Sequence, residues 1–301
     1  MTEAELRALL HQRGLARVAG GLLRLAAPMV RVYIRRADEA DLPVGASKIG
    51  GRPELPAGVA WPAWHEPLAF IAQFDLAAVA PHDREGVLPA HGLLSFFYET
   101  DGEPLYSAGW GLPEGTAPED YPEVDPSPGW RVLYHEGDPA TFVRRDTPPA
   151  LNERGRFPAC AARFAAEVTL PDVDGPEVAP LGLSEAERSA LIDLDADVNR
   201  GTWEDGGHHL LGYPYNLGGS TLAGCEIEAR RIPYASLVAD PARRREIERE
   251  AARRWRLLFQ VGSSDEAEMD WAGGGLLHWC IEREALRVRD FSRAWLNMQF
   301  L

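Results

Sequence analysis

With 301 residues, 45% of them hydrophobic and nine of them tryptophan, the chain has material for one large domain or two ordinary ones and is too apolar to be disordered. Its formal charge of −15 repels phosphate backbones and anionic lipid, which sets nucleic acid and membrane aside and leaves a protein partner with a basic surface, or a small molecule. Three scattered cysteines, Cys160, Cys225 and Cys280, exclude a disulfide framework and a zinc site, and no leader or apolar run of about 18 residues is present; the expectation is a cytoplasmic protein with neither metal nor cofactor.

Thr2 and Glu5 form a capping-box pattern ahead of Leu6, Leu9 and Leu10, so the chain opens in one or two helices, interrupted at Gly20-Gly21. Residues 1–29 read as an N-terminal helical segment and 30–301 as the domain proper. In MVRVYIRR, Val30, Val32 and Ile34 alternate with Arg31, Tyr33 and Arg35, the pattern of a half-buried strand. PLAFIAQFDL (67–76) and GLLSFFY (92–98) are nearly continuous apolar runs and predict interior strands. From 99 to 160 proline, glycine and acidic residues dominate, and only short strands such as WRVLYHE (130–136) stand out from long loops. FAAEVTL (164–170) predicts another strand. Ser184 and Glu187 then cap a helix over RSALIDLDADVNR, and Asp240-Pro241 opens a further helix that runs into RLLFQV. GGGLLHWCI (273–281) supplies a late strand.

Lys48 is the sole lysine beside 30 arginines, and it precedes a Gly-Gly-x-Pro turn. SKIGGRPELP (47–56) aligns with HHLLGYPYNL (208–217), which matches Gly51, Arg52 and Pro53 to Gly212, Tyr213 and Pro214, and Lys48 to His209. FIAQFD (70–75) then matches LLFQVG (257–262), pairing Gln73 with Gln260, and GLLSFFY matches GLLHWCI. Three matches in one order predict an internal duplication, with one repeat at about 30–100 and the other at about 163–295, the second having gained a helix. The expected fold is α+β: largely antiparallel β-sheets with peripheral helices in a single intertwined domain. Glycine and proline make each corner rigid, so Pro53 and Pro214 are structural. A glutamine inside an apolar strand must find partners, and the corner backbones are the expected ones for Gln73 and Gln260.

These stretches, SKIGGRPELPAGVAWP, PLAFIAQFDL, GLLSFFY, HHLLGYPYNL, LLFQVGSSDE and GGGLLHWCI in this order, resemble the bacterial YwqG-like family, a domain of unknown function, over about residues 30–295. The resemblance implies a cytosolic, mixed, internally repeated fold with no assigned catalytic residues, and its members' neighbourhood of toxin and immunity loci points to protein binding. The family's Trp-Gly-Asp-x-Gly arrangement is replaced here by Trp271-Ala272-Gly273-Gly274-Gly275, so no role passes to an aspartate there.

If the repeats are related by a twofold, Lys48 and His209 approach one cleft beside the corner residues Gly50, Gly51, Arg52, Gly212 and Tyr213. They would offer donors to an anionic or carbonyl-bearing ligand. Trp203, Glu204, Asp205, His208 and His209 carry metal-capable atoms at a spacing that fits no zinc or calcium pattern. Asp265, Glu266, Glu268 and Asp270 form an acidic tip, and the arginines of 243–256 alternate with Glu246, Glu248 and Glu250 as on a solvated, ion-paired helix face. No G-x-S-x-G, Walker A or G-x-G-x-x-G fingerprint occurs. The reading is a binding module without catalysis, of immunity type on the strength of the resemblance. The alternative is an enzyme at the repeat junction using Lys48, His209 and Glu204 or Asp205.

Overall fold

The structure is a computed structural model and describes residues 2–100, 129–200, 206–238 and 240–300. The cluster members Trp203, Glu204 and Asp205 and residues 101–128 of the loop-rich 99–160 stretch lie outside the described residues. The fold is mixed α/β, dominated by one large antiparallel sheet. Ten strands form it: β1 (Ala27–Arg36), β2 (Lys48–Ile49), β4 (Ala69–Asp75), β5 (Leu93–Tyr98), β6 (Trp130–His135), β8 (Cys160–Thr169), β9 (His209–Leu211), β10 (Trp255–Gly262), β11 (Leu276–Glu282) and β12 (Trp295–Gln299). Their spatial order is β12-β11-β10-β9-β1-β8-β2-β4-β5-β6. A separate ribbon pairs β3 (Glu54–Leu55) with β7 (Val143–Arg144).

The long pair β1–β8 forms the middle of the sheet, joined over its whole length from Ala27↔Thr169 to Arg36↔Cys160. On one side the short β2 links β8 to β4, with Lys48 opposite Gln73. On the other side the short β9 links β1 to β10, with His209 opposite Gln260. Each wing carries a bulge at the same place, two residues before its glutamine: the register shifts between Phe70 and Ala72 in one and between Leu257 and Phe259 in the other. Bulges bend and twist a strand, and the sheet curls until its wings face each other. Phe74 of β4 and Phe259 of β10 are five strand places apart, yet their rings lie 5.0 Å apart; Phe96 meets Trp279 at 5.3 Å. The outermost strands also meet through side chains, Trp130 against Trp295 at 5.4 Å, with the Trp130 indole N–H donating to the Ala294 carbonyl. The interior between the wings is the main core.

Helices cover the outside. α1 (Glu3–Gln12) begins at the Thr2/Glu5 capping box and α4 (Glu185–Asp195) at the Ser184/Glu187 box. With α2 (Ala19–Leu25) they form a second apolar cluster over the end of β8, through Leu6, Leu10, Leu22, Leu191 and Leu194. The helical break falls not at Gly20-Gly21 but after Arg13, where Gly14 takes φ +77°; Gly21 sits inside α2 because a Cβ there would strike the Leu181 side chain. Between Gly212 and Gln260 the chain inserts not one helix but three: α5 (Thr221–Ala229), α6 (Tyr234–Val238) and α7 (Pro241–Arg254). The short α3 (Leu76–Val79) and α8 (Arg283–Arg287) follow β4 and β11 directly.

The two corners share one backbone path. Gly50 and Gly51 have φ of +68° and +76°, and Leu211 and Gly212 have +62° and +73°. The path is therefore imposed strongly enough to hold a buried leucine in the left-handed region, which costs a non-glycine residue about 1–2 kcal/mol. At Gly50 an added Cβ would also meet the Pro158 carbonyl oxygen, which is backbone and cannot swing away. Gly50→Ala is expected to lose at least about 2 kcal/mol of unfolding free energy in urea titration.

Candidate functional site

At the first corner β2 presents Ile49 to the core and Lys48 to the opposite face, as strand alternation requires. Lys48 is fully buried, and its ammonium donates to Glu54 Oε1 at 2.9 Å and to Glu39 Oε1 at 3.2 Å. Glu54, itself fully buried, also accepts from Arg144 Nε at 2.6 Å and from the Gln73 amide. Glu39 accepts the Arg52 backbone N–H at 2.5 Å and Arg52 Nε at 2.7 Å, while Arg52 Nη1 donates to Asp146 at 2.7 Å. Burial pushes the Glu39 carboxyl up, but the Arg52 hydrogen bonds and the Lys48 charge outweigh it and hold its pKa below the ordinary value. Three cations and three carboxylates thus close one network around the corner.

Gln73 ties that corner to the sheet. Its Oε1 accepts the Glu54 N–H at 3.0 Å and its Nε2 donates to the Ala46 carbonyl at 2.9 Å. Gln260 does the same at the second corner, accepting the Tyr215 N–H at 2.9 Å and donating to the Gly207 carbonyl at 2.9 Å. Each glutamine binds the residue three after the second corner position and the residue two before the strand's first.

Among the described residues the second corner has no counterpart to the ionic network. His209 is fully buried, with Nδ1 and Nε2 each 3.2 Å from a carbonyl, of Gly207 and Tyr213. Burial first, then the nearby Arg31 charge, lowers its pKa to about 3, so it is a neutral imidazole whose single N–H serves one of those carbonyls. His208 is likewise lowered to about 3 and His278 to about 4, in both cases chiefly by burial. Tyr213 is pushed up to about 12 by desolvation. Pro214 follows it into the segment that α5 to α7 extend.

The structure therefore gathers Lys48, Gly50, Gly51, Arg52, Pro53 and Gln73 at one corner and His209, Gly212, Tyr213, Pro214 and Gln260 at the other. It does not bring the two sets together. β8 and β1 stand between β2 and β9, a separation of roughly 14 Å at the usual strand spacing. Each buried side chain is also committed to its own partners, so the shared Lys48/His209 cleft gives way to two separate corners.

A cavity of about 170 Å³ opens beside the first corner. Glu39, Gly51, Arg52 and Arg156 line it together with the aromatic side chains of Trp61, Phe70 and Phe157. Arg156 went unnoticed in the sequence because it lies in a proline-rich loop without periodicity. Its guanidinium is held by neutral acceptors, the carbonyls of Leu151 (2.9 Å from Nη2) and Pro149 (3.3 Å). Among the described residues no group of three or more His, Cys, Asp or Glu side chains is placed to hold a metal ion. All three cysteines are buried and free, and burial pushes the Cys160 thiol up to about 11. No helix among the described residues is long and apolar enough to cross a membrane.

The fold and the corner cavity define a mixed α/β protein built on one curled antiparallel sheet. The chain belongs to the family described as a domain of unknown function (DUF1963), whose model matches residues 47–299, from the first corner to the last strand. No curated protein matches the chain.

Proposed function

We propose that the protein is an internally duplicated, YwqG-like binding module of the cytoplasm that takes a ligand at its first corner and performs no chemistry there. The observation that carries this reading is the cavity of about 170 Å³ at the Gly51-Arg52 corner, lined by both charged and aromatic side chains. Below it Lys48 is enclosed by Glu54 and Glu39, so the side chain with the most nucleophilic potential serves to hold the corner rather than to react. The neutral, buried His209 has the same structural task at the other corner.

The duplication is supported by four coincidences between the wings: equal register of Lys48 and His209 against the two glutamines, equal bulges, matched positive φ at successive residues, and matching glutamine hydrogen bonds to the corner backbones. A single intertwined domain is supported by the ring contacts that join the wings across the core. The two corners differ in content, an ionic cluster with a cavity at one and buried neutral imidazoles at the other.

A fragment screen by ligand-detected NMR, followed by amide shift mapping on labelled protein, tests the reading. Fragment hits are expected to move the amides of Gly51, Gly155 and Ala159 while those of Gly212 and Tyr213 stay in place. Hits that map elsewhere, or none at all, contradict it.

A further inference from the structure

Resting on that binding reading, we infer that the corner cavity is specific for a compact aromatic monocarboxylate, whose carboxylate sits between Arg156 and Arg52. Lys48, Arg52 and Arg144 are matched by Glu39, Glu54 and Asp146 through a continuous set of ion pairs. Arg156 lies outside that balance: its hydrogen bonds go to the carbonyls of Leu151 and Pro149, and it has no carboxylate partner among the described residues. The cavity wall thus carries one uncompensated positive charge in a chain of net charge −15.

Geometry supplies the donors. Arg156 uses Nε and Nη2 on its own loop and Arg52 uses Nε and Nη1 on Glu39 and Asp146, so Arg156 Nη1 and Arg52 Nη2 are the nitrogens without partners among the described residues. Asp146 is 94% exposed, so its pairing with Arg52 is a weak surface contact that yields readily to a ligand. A guanidinium in a partly enclosed site favours a carboxylate, the planar anion that matches its fork of donors. Glu39 contributes no repulsion that is not already met, because its oxygens accept from Lys48 and Arg52.

Size and surface set the rest of the ligand. A cavity of about 170 Å³ is close to the roughly 150 Å³ that accommodates one benzene ring. Trp61, Phe70 and Phe157 line it and provide ring faces and edges. A single aromatic ring carrying one carboxylate fills the space and cancels the charge. A dianion or a phosphate ester would overcompensate it.

Sodium benzoate and its neutral isostere benzamide are the probes, titrated by ligand-detected NMR and calorimetry against the full chain and the Arg156→Gln variant. Benzoate is expected to bind with a Kd of about 1 mM or tighter, the range open to a fragment of that size. Benzamide should bind at least about tenfold more weakly, since it forfeits a charge-assisted hydrogen bond. Arg156→Gln is expected to bring benzoate down to the benzamide level while leaving benzamide unchanged. Equal binding of the two probes to the unsubstituted protein overturns the carboxylate assignment and leaves the binding reading standing. Binding of neither probe, together with a fragment screen that leaves the Gly51, Gly155 and Ala159 amides unmoved, overturns both. The comparison of the two probes needs no variant, so a folding defect in Arg156→Gln does not blur the outcome.

Discussion

Replacing Lys48 with methionine is expected to remove about 3–5 kcal/mol of stability, the cost of breaking a buried ion pair from one side. Glu54 is fully buried, and although Arg144 and Gln73 remain bound to it, the loss of Lys48 strips a cation from 2.9 Å away. The accompanying Glu39, only 17% exposed at its side chain, loses its second cation at the same time. Urea denaturation of Lys48→Met, Glu54→Gln and the double variant measures this. The double variant should be more stable than the sum of the single losses by about 1–3 kcal/mol, because the second substitution neutralises the charge the first one orphans. A loss below about 1 kcal/mol for Lys48→Met, the value of an exposed pair, contradicts the description of the network.

Acid is expected to unfold the protein through its imidazoles. His208, His209 and His278 are fully buried and neutral, with pKa values of about 3, 3 and 4 in the folded chain, chiefly through burial; in the unfolded chain each titrates near 6.5. Their stabilising contribution is complete above pH about 6.5 and is lost as pH falls toward 4 and then 3, each by about 1.4 kcal/mol per pH unit. Two acids oppose them. Asp195, raised by burial beside Asp172, and Glu228, raised to about 6 by burial, hold protons when folded that the unfolded chain releases, so they gain stability as pH falls. His135, lowered by burial, joins the imidazole side, so stability is expected to fall as pH drops from about 6 to about 4.5. Urea titrations across that range measure the slope. Removing one imidazole with His278→Gln should flatten the profile by about one proton, and a profile already flat from pH 7 to 5 in the unsubstituted protein would contradict the neutral, buried assignment.

Much of the sheet was legible because its strands announce themselves. The alternation of Val30, Val32 and Ile34 with Arg31, Tyr33 and Arg35 lies within β1, and the apolar runs around Gln73 and Ser95 became β4 and β5. Both capping boxes were readable because they are local, three residues apart. The family model of unknown function spans the stretches from the first corner to the last strand, residues 47–299. What the sequence hid is non-local. Glu39 and Glu54 lie nine residues before and six after Lys48, across turns that break any regular period, and only the separate β3–β7 ribbon, which sets Arg144 opposite Glu54, brings that guanidinium to the same carboxylate. A lone lysine in an arginine-rich chain marked the position without revealing that it was enclosed. α5 was missed because its Ser220 cap precedes a short segment, TLAGCEIEA, that is mostly apolar and shows little helical periodicity. Arg156 gave no sign at all, since a cavity wall formed by a proline-rich loop leaves no pattern in the chain.

The uniqueness of Lys48 gives the most direct test of its placement. An amine-reactive acetylating reagent has two targets in this chain, the α-amine and one ε-amine. Intact-mass analysis of the native protein should show a single acetyl group, with a second added only after denaturation, because the ammonium is sealed beneath Glu54 and Glu39. Acetylation of Lys48 in the native protein at the rate of a free amine would contradict a corner locked from within.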